Sequence, residues 1–180
     1  MFVPLTIKDH LERADLVYGT RIGIIDEPDQ PAQPMMAMTY SSFAAKAKAM
    51  AKGFEELGVA QQGRVAMVSH NASRMLTFLF GTAAWGRIGV PINFRLNHEE
   101  ISYIIEHSGA EVLIVDPELE DTLKEVKVKN FFCMGVSYIC FDATFCNKVT
   151  AMRFTKLNQP LFTNIMSSAV IFCSRIAQTN

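Results

Sequence analysis

Ser69, His70 and Asn71 bring a hydroxyl, an imidazole and a carboxamide together at the end of a short apolar run, Arg64 to Ser69. Open α/β sheets place ligand groups just beyond the carboxyl ends of their strands, so the position suits a binding or catalytic group. Adjacency alone does not make a nucleophile and base, because the imidazole must reach the hydroxyl in space and be oriented by a third group. The plainer expectation is a turn that supplies an N-cap to the next helix. Gly81-Thr-Ala-Ala-Trp-Gly86-Arg87-Ile88 has the outline of the phosphate loop G-x-x-x-x-G-K-[ST], but Arg87 and Ile88 stand where a lysine and a hydroxyl would meet phosphate and magnesium. These glycines also close a helix and lead into a strand, the reverse of what a phosphate loop needs. Close packing of helix against sheet is their expected use.

The remaining polar side chains read as structural. His98 and His107 fall near opposite ends of one predicted helix, too far apart for the i, i+4 pairing of a metal site, and solvation or capping of the helix ends accounts for both. Glu99 and Glu100 lie in its first turn, where the helix dipole favours negative charge. Lys124, Lys127 and Lys129 alternate with apolar residues as a solvated face. Cys133, Cys140, Cys146 and Cys173 lack paired C-x-x-C spacing and read as free thiols. From the residues alone, no catalytic, cofactor-binding or metal-ligating residue is assigned.

The elements that position these side chains alternate. Arg21 to Asp26 is a candidate strand, followed by a loop with Pro28, Pro31 and Pro34 and a second short strand ending in Thr39 and Tyr40, a hairpin-like entry. Phe43, Ala47, Met50, Phe54 and Leu57 mark one helical face, with Gly58 suited to the C-terminal cap. Arg64 to Ser69 reads as a buried strand, Ala72 to Trp85 as an apolar helix and Ile88 to Ile92 as another strand. Asn97 and Glu100 have capping-box spacing ahead of Ile101, Ile104 and Ile105, and Gly109 marks the stop. Glu111 to Val115 is a strand, and Asp116-Pro117 opens a helix with Leu119, Leu123 and Val126 on one face. Such alternation predicts an α/β fold, a mainly parallel sheet flanked by helices and joined by right-handed crossovers.

Composition narrows the partners. The chain is 49% hydrophobic and 19% charged with a net charge of −1, which fits a folded domain and excludes the basic footprint of a nucleic-acid binder. A small-molecule or protein partner fits better. The opening MFVPLTIKDHLERAD is no secretory signal, and the apolar stretch between Arg74 and Arg87 is shorter than the roughly 20 residues needed to span a bilayer. A cytoplasmic protein without a transmembrane segment is expected, with a peroxisomal location left open for a full-length protein. All ten glycines lie at or before Gly135, while residues 136–180 hold one acidic residue, Asp142, and five phenylalanines. The domain boundary is therefore placed there: residues 1–135 a partial domain, and residues 136–180 a divergent tail, read as a translated intron or frameshifted sequence.

Three stretches carry a resemblance. MTYSSFAAKAKAMAKGFEELGVAQQGRVAMVSHN (Met38 to Asn71), FGTAAWGRIGVPINFRLNHEEISYIIEHSGAEVLIVD (Phe80 to Asp116) and Arg21 to Asp26 are similar, in order, to early segments of the adenylate-forming (AMP-binding) superfamily, most closely its acyl-CoA synthetases and acid–CoA ligases. The resemblance implies the N-terminal part of that family's large domain. It also implies an activity for the full-length family: carboxylic acid, ATP and CoA converted to acyl-CoA, AMP and pyrophosphate, with Mg2+, as in fatty acid metabolism. The family's serine-, threonine- and glycine-rich phosphate loop, ending in proline-lysine, has no counterpart here, since residues 136–180 contain no glycine. No catalytic residue is carried over, and the chain is expected to be inactive alone. Two other readings stand beside it: a small flavodoxin-like binding module, and a truncated isoform that pairs with a full-length ligase.

Overall fold

The computed structural model describes residues 5–31, 34–35 and 37–133. The first helix, α1 (Ile7–Tyr18), begins at a reciprocal capping box: the Thr6 hydroxyl accepts from the Asp9 amide and the Asp9 carboxylate accepts from the Thr6 amide. It buries Leu11 against Phe43 and Ala47. The expected hairpin-like entry is an antiparallel ribbon of β1 (Ile22–Ile24) and β2 (Met38–Thr39). The Thr39 hydroxyl then accepts from Ser42 N and caps α2 (Tyr40–Glu56), whose buried side is Phe43, Ala47, Met50, Ala51 and Phe54. This is the face expected from the periodicity. Gly58, at φ 75°, and Gly109, at φ 65°, follow the ends of two helices in the left-handed conformation that side chains disfavour.

The main sheet is built from β3 (Arg64–Val68), β4 (Ile88–Ile92), β5 (Val112–Val115) and β6 (Asn130–Cys133). All are parallel, in the order β4-β3-β5-β6. Helix α3 (Ser73–Ala83) joins β3 to β4, and α4 (His98–Ser108) joins β4 to β5. Period-two alternation along β3 divides the core into two layers. Val65 and Met67 pack with Met50, Phe54 and Phe78 from α2 and α3, whereas Ala66 and Val68 pack with Ile101, Ile105, Leu123 and Val126. The sheet is thus buried on both faces, as a run of apolar residues without polar alternation requires.

Asn97 and Glu100 form the predicted capping box of α4, at 2.9 Å in each direction. The helix expected after Asp116 is shorter than its apolar pattern. Pro117–Leu119 is a 3-10 turn and Glu120–Leu123 a four-residue helix, α5. The Val126 amide reaches back three residues to the Leu123 carbonyl at 3.0 Å, tightening the turn, and both side chains are buried.

Candidate functional site

The strand order fixes where a site belongs. Chain order proceeds from β3 to β4 on one side and then crosses to β5 on the other, so the connections diverge between β3 and β5. Ligands of open α/β sheets bind at such a switch point, outside the carboxyl ends of the strands. Ser69 and His70 follow β3 there, and Asp116 follows β5.

Asp116 is fully buried and gathers the others. Its Oδ2 accepts from the Ser69 hydroxyl at 2.8 Å and the His70 amide at 2.9 Å, and lies 3.2 Å from His70 Nδ1. The same ring nitrogen is 3.1 Å from Glu118 Oε1. On the other side of the carboxylate, the buried Arg74 guanidinium stands 4.0 Å from Oδ1. The Phe94 ring lies 4.0 Å from the His70 ring, centroid to centroid. Ser69 and His70 are therefore brought together, but with the carboxylate in the middle. A nucleophilic triad needs the imidazole in the middle, so the geometry does not activate Ser69.

The expectation that residues 69–71 cap the next helix is corrected. The N-cap of α3 is Ala72, whose methyl group cannot accept a hydrogen bond. Asp26, at the end of the entry ribbon, takes the role instead: Oδ1 accepts from Ser73 N at 2.7 Å, and Oδ2 accepts from Ser73 Oγ and Met35 N, both at 2.8 Å. Burial opposes ionisation of Asp26, but these hydrogen bonds, led by those from the Met35 and Ser73 amides, outweigh it and hold the carboxyl below its ordinary pKa.

The phosphate-loop outline has no phosphate-loop geometry. A Cβ on Gly81 would come within 3.1 Å of Ala47 O and Met50 Cβ, so this glycine serves the contact of α3 with α2 rather than with the sheet. The helix-to-sheet approach falls at Gly89, where a Cβ would meet Thr82 Oγ1 at 2.8 Å. Arg87 donates through Nε to Val59 O at 3.0 Å and is spent on structure.

His107 stacks on Tyr103 in α4, with ring centroids 5.6 Å apart, and the buried His98 Nε2 has no hydrogen-bond partner among the described residues. His107 is exposed in the last turn of α4, as helix-end solvation expects, whereas the buried His98 Nε2 is neither solvated nor a cap; Asn97 does the capping. Glu100 closes the capping box. Lys124 pairs with Asp121 at 3.1 Å and Lys129 with Glu111 at 3.4 Å, exposed pairs on a solvated face. Cys133 is a free thiol; burial first, then hydrogen bonding to Glu120 and the charges of Glu120, Asp116 and Glu118, push it up to about 12. Cys140, Cys146 and Cys173 lie outside the described residues. Asp116 and Glu118 escaped the sequence reading. Asp116 stood there only as a helix start, and the sole local sign of its role was its place just past a strand end.

The groups implied by the resemblance can be tested against this geometry. A triphosphate does not fit the switch point, because Asp116 and Glu118 present carboxylates where phosphate oxygens would sit and Arg74 already faces Asp116. No nucleotide-binding step is assigned to these residues.

Comparison with known proteins gives the relationship. Over 89 residues, or 49% of this chain and 16% of the relative, the sequence is 35% identical to 4-hydroxybutyrate–CoA ligase 2 of Metallosphaera sedula. It is 38% identical over 77 residues, covering 43% of this chain and 15% of the relative, to the long-chain-fatty-acid–CoA ligase FadD13 of Mycobacterium tuberculosis. The chain thus spans about a sixth of the length of these relatives. Among solved structures, a long-chain-fatty-acid–CoA ligase of Archaeoglobus fulgidus superposes with a TM-score of 0.67 at 23% identity over 75% of this chain and 28% of its own, a likeness of fold. The N-terminal domain of FACL13 from Mycobacterium tuberculosis gives 0.62 at 25% identity, over 73% of this chain and 34% of its own. The α/β architecture expected from the alternating pattern is therefore that of ligase N-terminal regions. Residues 21–160 match the sequence pattern described as AMP-binding enzyme, and because that interval takes in the ribbon, the sheet and the switch point together, the chain belongs to the AMP-binding enzyme family.

Proposed function

We propose that this chain is part of an AMP-forming acyl-CoA synthetase, in which it builds a layer of the large domain, and that residues 1–180 do not adenylate an acid by themselves. The family match over residues 21–160 carries the reading. The full-length enzyme would join a small carboxylic acid to CoA at the expense of ATP, with Mg2+. In this chain Asp26 and Asp116 hold the β3–α3 loop in place, while the phosphate grip and the metal-binding groups of that reaction would come from elsewhere. Leu16, Ile22 and Ile25 are exposed by 87%, 61% and 75%, apolar surface that the rest of the ligase would cover.

Reading the transcript and the locus beyond codon 135 tests this. A message continuing into a serine-, threonine- and glycine-rich loop ending in proline-lysine is expected; an open frame with no such segment would contradict it. The same experiment decides whether residues 136–180 are translated non-coding sequence. That proposal rests on their loss of glycine and acidic residues, and the family match reaching residue 160 weighs against it.

A second reading has one observation in its favour. Numbering the parallel strands in chain order gives 2-1-3-4, the flavodoxin-like arrangement. A small binding module would use the β3–β5 switch point, and saturable flavin or nucleotide binding by the purified chain would favour it. The carboxylates at that point make it the lesser reading.

A further inference from the structure

Two carboxylates converge on one imidazole nitrogen at the switch point. His70 Nδ1 lies 3.1 Å from Glu118 Oε1 and 3.2 Å from Asp116 Oδ2, and the three atoms are all within 4.8 Å of one another. A ring nitrogen carries one proton, so it cannot donate a full hydrogen bond to both. Two ligand atoms on a tetrahedral ion, each about 2.0–2.2 Å from it, stand about 3.3–3.6 Å apart. The two spacings at His70 Nδ1 fall just short of that range, so a small outward movement of the partly exposed Glu118 would admit an ion.

Charge points the same way. Asp116 and Glu118 contribute two negative charges, of which Arg74 offsets one from 4.0 Å. The Oδ1 atom of Asp116, in a residue with no exposed surface, accepts no hydrogen bond from the described residues. That oxygen faces Arg74, so a cation between the three residues would meet Oδ2, the oxygen beside His70 Nδ1.

We infer that His70, Asp116 and Glu118 form a binding site for one divalent cation of the zinc class, with the open side of the ion completed by water. An imidazole nitrogen with two carboxylate oxygens suits zinc better than magnesium, which prefers an all-oxygen octahedron. The ligands are held in advance. Ser69 Oγ and the His70 amide fix the Asp116 carboxylate, and Phe94 lies against the His70 ring, the outer support that ligating residues need. Glu118 is partly exposed and gives the ion a way in from solvent. The site stands whether or not the ligase reading holds.

The test is a Zn2+ titration of the full 180-residue chain by calorimetry at neutral pH. Cys133, Cys140, Cys146 and Cys173 are changed to serine so that thiols do not compete, and the His70 ring nitrogens are followed by NMR. One zinc per chain is expected, with the His70 Nδ1 resonance shifted on binding. Glu118→Gln should weaken binding by about tenfold or more, and His70→Ala should abolish it. If His70→Ala fails to fold, Glu118→Gln on its partly exposed turn carries the decision. Absence of saturable zinc, zinc affinity unchanged in Glu118→Gln, or a His70 ring that stays doubly protonated between the two carboxylates in excess zinc would overturn the inference.

Discussion

Asp26 and Asp116 grip the same short loop, between β3 and α3, from two sides, and they do it differently. Asp26 is half-buried and both its oxygens accept hydrogen bonds from Met35 or Ser73. Asp116 is fully buried, with several donors crowded on Oδ2 and, among the described residues, none on Oδ1. The first is a satisfied cap. The second is a buried carboxylate held partly by an ion pair, with one oxygen lacking a donor among the described residues. One carboxylate anchors the entry ribbon to α3, and the other positions what the switch point presents.

Removing each carboxylate breaks the comparison open. Asp116→Ala should cost most, about 3–5 kcal/mol, because it removes one side of the buried ion pair with Arg74 and the acceptor of the Ser69 hydroxyl and the His70 amide. Urea unfolding of the full chain would show this as a lower midpoint, and a loss within about 1 kcal/mol would mean the ion pair is not part of the folded core. Asp26→Ala should cost about 1–2 kcal/mol, the worth of a helix cap.

Acid sharpens the contrast. The folded-state pKa of Asp26 is held below its unfolded value, so its contribution is fully present above the unfolded value near pH 4 and is lost as pH falls through the folded one. Unfolding free energy measured from pH 6 downward should therefore fall less steeply in Asp26→Asn than in the parent chain. Equal slopes would remove Asp26 from the account. The smallest effect belongs to Lys124→Ala on the solvated face, where loss of the exposed pair with Asp121 should move stability by less than about 0.5 kcal/mol.

Local signals carried most of the fold. The α2 face, the Asn97–Glu100 capping box and the left-handed Gly109 were each readable within one or two turns of chain, because their causes are local. Helix α1 was missed although Thr6 and Asp9 have capping spacing and Ile7, Leu11, Ala14 and Tyr18 recur at helical spacing; Leu11 is its one buried residue. Strand β6 was missed for a different reason. Asn130–Cys133 is short, and pairing with β5, far from any turn signal, is what makes it a strand. The site was the least legible part. Asp116 meets Ser69 across 47 residues, a distance that only the strand order closes. Asp26 meets Ser73 across the same separation, so the empty N-cap at Ala72 could not reveal its partner.

Adenylation itself provides the most direct check on the proposed role of the chain. Acid-dependent exchange of labelled pyrophosphate into ATP, measured on the purified 180-residue protein with fatty and aromatic acids, should stay at background. The same assay on the complete ligase of the locus should give robust exchange. Exchange by the short chain above background, in protein free of any longer ligase, would contradict the claim that it supplies scaffold and not the reaction.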